Sequence, residues 1–219
     1  MLLEAQCTEL GWPFHVMYAE YLDNKSWHEG SLYTLNPEEI VADLIFAQGR
    51  LCSWCEGGSV NLLMKAASLD FLAARNQFGD RQDAVRRYFE AQCTILNEVA
   101  SDLLASIHQV TSARLRENIA EVCSDLYIQE YYPRVKEEFL VLLAKAMEPE
   151  ILSRIAKIFV QKPYDYRAGW PDLTVIEHKN VSFIEVKTTD RFHVSQLRFA
   201  REVAAPLGLA CSVVQLKPR

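Results

Sequence analysis

Toward its carboxyl end the chain reads Arg167-Ala168-Gly169-Trp170-Pro171-Asp172-Leu173-Thr174-Val175-Ile176 and, after a short gap, Phe183-Ile184-Glu185-Val186-Lys187. The run Leu173–Ile176 is largely apolar, and Phe183–Lys187 alternates its residues as a strand does. Between them Glu177-His178-Lys179-Asn180 is polar and turn-like, so the two runs predict a β-hairpin. Side chains two apart on a strand share a face, which puts Glu185 and Lys187 together. With Asp172 at the start of the neighbouring strand, both carboxylates and the ammonium converge on one point. Hard oxygen donors of this kind hold Mg²⁺ or Mn²⁺, ions that polarise a phosphate and activate water. The arrangement suits a magnesium-dependent phosphodiesterase. Pro-Asp or Glu-x-Lys alone would mean little, and the plain reading of Glu185 and Lys187 is a solvated ion pair. The ordered combination outweighs it.

Composition agrees with a compact enzyme. The 219 residues suit one or two domains. Half are apolar, and no low-complexity tract is present. No apolar run approaches membrane-spanning length, and Met1-Leu2-Leu3-Glu4-Ala5-Gln6 lacks the basic start and long apolar core of a signal peptide. A soluble, cytoplasmic protein without a membrane partner is expected. Cys52-Ser53-Trp54-Cys55 has the spacing of zinc or redox sites, but no second Cys pair or close His pair completes a zinc set. Reduced thiols in a helical core are expected instead. The net charge of −6 counts mildly against nucleic acid as a partner. The charges are uneven, however. Lys157, Lys162, Arg167, Lys179, Lys187, Arg191, Arg198 and Arg201 surround the motif, while acid gathers in Glu137-Glu138 and Glu148-Pro149-Glu150. A basic rim on an acidic body is compatible with DNA.

From Pro37 to about Val160 the pattern is mostly helical. Asn36-Pro37-Glu38-Glu39 is a helix start, with Asn at the cap, Pro in the first turn and acid near the positive end of the dipole. Ile40, Val41, Leu44 and Ile45 form one stripe, and Gly49 can end that helix. Helical spacing recurs over Val60–Leu72, Ala84–Leu96, Leu103–Leu126, Arg134–Met147 and Ile151–Val160. Before Pro37, the aromatic residues Trp12, Phe14, Tyr18, Tyr21 and Trp27 indicate a packed segment whose topology the sequence leaves unread.

The block Gly169-Trp170-Pro171-Asp172-Leu173, Glu185-Val186-Lys187, Asp190-Arg191-Phe192, Gln196, Gly208 and Cys211-Ser212-Val213-Val214 resembles the PD-(D/E)xK nuclease superfamily and, within it, the VRR-NUC domain. The stretches Pro37–Gly49, Trp54-Cys55-Glu56-Gly57-Gly58-Ser59-Val60-Asn61 and Leu69-Asp70-Phe71 are similar to the nuclease portion of the Fanconi-associated nuclease family. The chain departs from these patterns at Gly57, where Asn is usual, at His193, where Ser usually caps the helix, and in a turn before Gln196 about one residue short.

The resemblance implies an α/β fold: a helical amino-terminal region, then a restriction-endonuclease-like mixed sheet of roughly four strands flanked by helices. The implied division is residues 1–36 of unread topology, a helical region over 37–150 that supplies an acidic ligand, and a nuclease core over 151–219. Asp172, Glu185, the Val186 carbonyl and Glu56 would bind one or two Mg²⁺ ions, with Mn²⁺ able to substitute. Glu137 or Glu138 are the alternatives to Glu56. Lys187 would orient or help deprotonate water, and Gln196 would position Lys187 or the substrate. Position and charge alone nominate Tyr166, Arg167 and Arg198 as contacts to the DNA backbone. His193 reads as a helix-start residue or a DNA contact. The implied substrate is branched or flapped DNA. A homodimeric Holliday-junction or restriction-type endonuclease, or a non-catalytic DNA-binding module, are the other readings.

Overall fold

The hairpin is present in the computed structural model, which describes residues 2–22, 25–189 and 191–219. Contacts divide the chain into two units, Met1–Glu56 with Gly169–Arg219, and Gly57–Ala168.

The first unit is α/β. Its elements before the division are α1 (Leu3–Leu10), β1 (Phe14–Tyr21), β2 (Trp27–Glu29), β3 (Leu32–Thr34), α2 (Pro37–Ala47) and β4 (Leu51–Trp54). The sequence expected as helical beyond Pro37 therefore also holds a strand. The segment of unread topology supplies three more, so the sheet has seven strands rather than four. β5 (Leu173–Glu177), β6 (Asn180–Lys187) and β7 (Ala210–Pro218) complete it in the order β3-β2-β1-β7-β6-β5-β4. The sheet is mixed. β7 runs parallel to both β1 and β6, while β4, β5 and β6 are antiparallel neighbours.

Alternation along these strands makes two faces. On one, Leu173, Val175, Ile184, Val186, Val214 and Leu216 pack with Ile40, Val41 and Ile45 of α2. Each such fully buried side chain is worth roughly 1.5–3 kcal/mol. The other face carries Asp172, Thr174, Phe183, Glu185 and Lys187. Here the chain between β6 and β7 forms one helical run: Val194–Phe199, a π-helical stretch over Ala200–Ala204, then Ala205–Leu207. Aromatic contacts hold it down. Trp170 meets Phe183 at 5.6 Å and Phe199 at 4.6 Å, and Trp12 meets Phe192 edge-on at 5.6 Å.

The second unit is helical: α3 (Gly58–Ala74), α4 (Arg81–Arg86), α5 (Phe89–Ile95), α6 (Ala100–Gln109), α7 (Ser112–Ser124), α8 (Leu126–Tyr131), α9 (Glu137–Ala146), α10 (Pro149–Phe159) and α11 (Pro163–Tyr166). α3 is buried almost all round: apolar residues lie on every face, and Ser59, Lys65 and Ser68 are buried with them, Lys65 donating to the Arg87 carbonyl. The pattern over Leu103–Leu126 divides into α6 and α7 because Thr111 caps the second, its hydroxyl accepting the Arg114 N–H at 3.2 Å. Asp70 of α3 receives both Arg81 of α4 and Arg114 of α7, at 2.8 and 2.6 Å. The Arg114 and Arg81 guanidiniums hold its carboxyl well below the usual carboxylate range. Among the described residues, no helix is long and apolar enough to cross a membrane.

One glycine sets the geometry of the motif. Gly169 has φ +86, and a Cβ there would stand 2.2 Å from the Ser195 carbonyl oxygen. The turn and the helix that carries Gln196 thus touch backbone to backbone. Gly208 also has positive φ, +63, but open space around it. Gly169→Ala should cost more than about 2 kcal/mol, lowering Tm by more than about 4 °C, whereas Gly208→Ala costs only ~1–2 kcal/mol. Thermal unfolding of both variants checks this; equal losses would refute the close approach.

Candidate active site

Asp172 stands one residue before β5, at the point where three strand ends meet. Its backbone carbonyl accepts the N–H groups of Cys55 at 3.1 Å and Glu56 at 3.3 Å, which ties the end of β4 to the Pro-Asp turn. Its side-chain Oδ2 accepts the Val186 N–H at 2.7 Å, which ties the turn to β6. The hairpin register, with Leu173 opposite Ile184, brings Glu185 beside it.

Glu185 and Lys187 share the sheet face that strand alternation requires, yet they are not a solvated pair. Their residues are 1% and 4% exposed, and Lys187 Nζ lies 2.9 Å from Glu185 Oε1. Gln196 spans both: its Nε2 donates to Glu185 Oε1 at 2.5 Å, and its Oε1 accepts from Lys187 Nζ at 3.2 Å. The same Oε1 accepts the His193 N–H at 2.9 Å. His193 is the N-cap and Gln196 the N3 residue of a capping box, so the helix start itself orients the amide. Lys187 also sits 5.8 Å over the Phe192 ring. Sequence reasoning missed that support, although Phe192 was in the motif; only its packing on Trp12 reveals the role.

Burial and the Glu185 charge push the Asp172 carboxyl up to about 8, against the opposing pull of the Val186 N–H and Lys187. Burial likewise raises Glu185, opposed by Lys187 and Gln196. Glu56 adds to that rise, so its charge is felt at the site. Glu56 is exposed and has φ +46, a left-handed backbone that a residue with a Cβ enters at a cost. Among the described residues no three His, Cys, Asp or Glu side chains form a group that could hold an ion. Buried Glu185 and half-buried Asp172 nevertheless fit a hard divalent cation. They offer oxygen donors, and burial displaces each toward its neutral form despite the nearby Lys187 ammonium, a cost that a bound cation would relieve.

The remaining expected residues are dispersed. Arg198 lies half-buried on the helix of Gln196. In the helical unit Arg167 is exposed and pairs with Glu90 at 2.7 Å. Tyr166 is buried, whereas Tyr164 is exposed, so the surface position expected of Tyr166 belongs to Tyr164. Glu137 and Glu138 are exposed at the start of α9 in that unit. Asp190, part of the resembling block, lies outside the described residues. All six cysteines are free thiols. Cys52 belongs to a strand, not to the expected helical core, and burial pushes its thiol up to about 11.

No protein-family model matches the sequence, and no curated protein is similar enough to match it. Two solved structures are similar over 98% of this chain: paFAN1 bound to DNA with a two-nucleotide 5′ flap and a gap (TM-score 0.67, 16% identity), and paFAN1 bound to DNA with a one-nucleotide 5′ flap and a gap (TM-score 0.65, 17% identity). The chain has the fold of that part of paFAN1 and spans 41% of its length.

The buried carboxylates lose their protons in the unfolded chain at lower pH than in the folded one. Folding stability therefore falls as pH rises from the ordinary carboxyl value of 3.8 toward about 8. In metal-free buffer, Asp172→Asn should stabilise the protein more at pH 8 than at pH 5. Thermal melts at the two values check this, and a pH-independent gap between variant and wild type would contradict it.

Proposed function

We propose that the chain is a divalent-metal-dependent nuclease that hydrolyses phosphodiester bonds in branched or flapped DNA. The observation that carries this reading is the cluster of half-buried Asp172 and buried Glu185 and Lys187 at the end of one hairpin, with half-buried Gln196 of the following helix bonded to it. An ion pair kept for stability alone has no need of a second carboxylate forced up beside it by burial. The fold shared with paFAN1, solved on flapped DNA, supports the choice of substrate.

Asp172, Glu185, the Val186 carbonyl and Glu56 would hold Mg²⁺, with Mn²⁺ as a substitute. When bound, the ion supplies Lewis acidity toward a phosphate oxygen and a more acidic water. The chain's own groups do the rest. Lys187 offers an ammonium fixed between Glu185 and Gln196, able to orient the attacking water and to stabilise charge on the phosphate. Gln196 keeps that ammonium in place and holds Glu185 Oε1, so both side chains are positioned before substrate arrives. Phe192 limits the water reaching Lys187 on one side. Attack by water on phosphorus then breaks one P–O ester bond and yields a phosphate terminus and a hydroxyl terminus.

Asp172→Ala and Glu185→Ala should abolish cleavage of a flap substrate in Mg²⁺. Lys187→Met should bind the same substrate with little loss but cleave it on the order of a hundredfold more slowly or worse. Single-turnover cleavage and a binding titration separate the two effects. Near wild-type cleavage by either Ala variant would end the nuclease reading, and a Lys187→Met variant that loses only affinity would make Lys187 a phosphate anchor.

Glu56→Gln should cut the rate strongly and raise the Mg²⁺ concentration needed for half-maximal activity. An unchanged metal requirement would remove Glu56 from the ligand set.

A further inference from the structure

The helical unit carries an aromatic surface that neither its core nor the candidate active site uses. Tyr88, between α4 and α5, stands edge-on to Tyr131 of α8 at 5.1 Å. Tyr127 of the same helix tilts against Tyr131 at 4.8 Å, and its hydroxyl donates to that of Tyr88 at 3.3 Å. Tyr131 remains 51% exposed despite these ring contacts. Cations flank the cluster. The Arg86 side chain is 57% exposed while reaching Asp125 at 3.0 Å. On the other side Arg167 pairs with Glu90 and holds its guanidinium 5.5 Å over the exposed ring of Tyr164. Arg86, Glu90 and the three clustered tyrosines line one depression, and Arg167 reaches its edge through the pair with Glu90.

Resting on the nuclease reading above, we propose that the Tyr88–Tyr127–Tyr131 cluster is a stacking platform for unpaired bases of single-stranded DNA. Every base has a π face, so tyrosine rings bind unpaired strands with little regard to sequence. A duplex hides those faces within its own stack. Phosphates follow the bases at short spacing, and each guanidinium has five donors, so its carboxylate bond leaves N–H groups for a phosphate oxygen. A docked protein helix would call for an aliphatic groove. Here the aliphatic lining is limited to Leu62 and Ile128, and Arg86 and Arg87 border the rings with their guanidiniums.

The test is fluorescence anisotropy with labelled DNA in Ca²⁺, comparing a duplex that bears an unpaired thymidine arm with the same duplex made blunt. Tyr127→Ala and Tyr131→Ala should each weaken binding of the armed duplex on the order of tenfold. Their affinity for the blunt duplex should match wild type, which also shows that they are folded. Tyr131→Phe, which keeps the ring, should bind the armed duplex as wild type does. The platform is refuted if the Ala variants bind it like wild type, which would leave the surface to a protein partner. It is equally refuted if armed and blunt binding fall together, or if Tyr131→Phe loses as much as Tyr131→Ala. A wild-type protein that binds neither DNA would instead overturn the nuclease reading, and the platform with it.

Discussion

Two carboxylates forced together out of water are the constraint around which the α/β unit is organised. Burial raises the proton affinity of both Asp172 and Glu185, and the Glu185 charge raises that of Asp172 further. Such a pair persists in a fold only when surrounding groups over-determine its position. Here the Val186 N–H, the Lys187 ammonium and the Gln196 amide are those groups, and each comes from a regular element rather than a loop. Two lie on β6 and one on the first helical turn beyond it. On the proposed reading, the rigidity needed to hold the pair would also present these groups to a cation and a phosphate in one arrangement.

That arrangement depends on how closely backbones approach. Gly169 lets the Pro-Asp turn touch the helix at Ser195, so Gln196 can reach Glu185 and Lys187 with a short side chain. The double acceptance by the Asp172 carbonyl joins the ends of β4 and β5 at the point where the chain leaves for Gly57–Ala168 and returns. Loop-closure entropy grows only slowly with the length of an insert. A complete helical unit can therefore stand between two paired strands, provided that their ends are pinned as they are here. Trp54 of β4 stands opposite Leu173 of β5 across that insertion.

The sequence makes the hairpin and its polar residues legible because strand alternation and a polar turn are local signals. Asp172, Glu185, Lys187 and Gln196 meet as the motif order implied. The amino-terminal strands were not legible: β2 and β3 have three residues each, too few for a period, and β1 pairs with β7 from the far end of the chain. The division of the long helical pattern at Thr111 was obscured because apolar spacing continued across the cap. Tyr166 and Tyr164 show a different limit. On a one-turn helix, residues two apart point in opposite directions, and composition does not say which one faces inward. Support from Phe192 and Trp12 joins distant segments, so no local pattern contained it.

His193 shows why a departure from a motif need not be a loss. A helix start wants an acceptor at its cap, and Ser commonly provides one. An imidazole nitrogen can accept as well, and here the capping box closes with Gln196 as its other member. The His193 N–H itself donates to Gln196 Oε1, and that bond uses the backbone. The orientation of Gln196 toward Lys187 and Glu185 thus rests mainly on main-chain geometry, which explains how the cap residue can change while the polar cluster keeps its form.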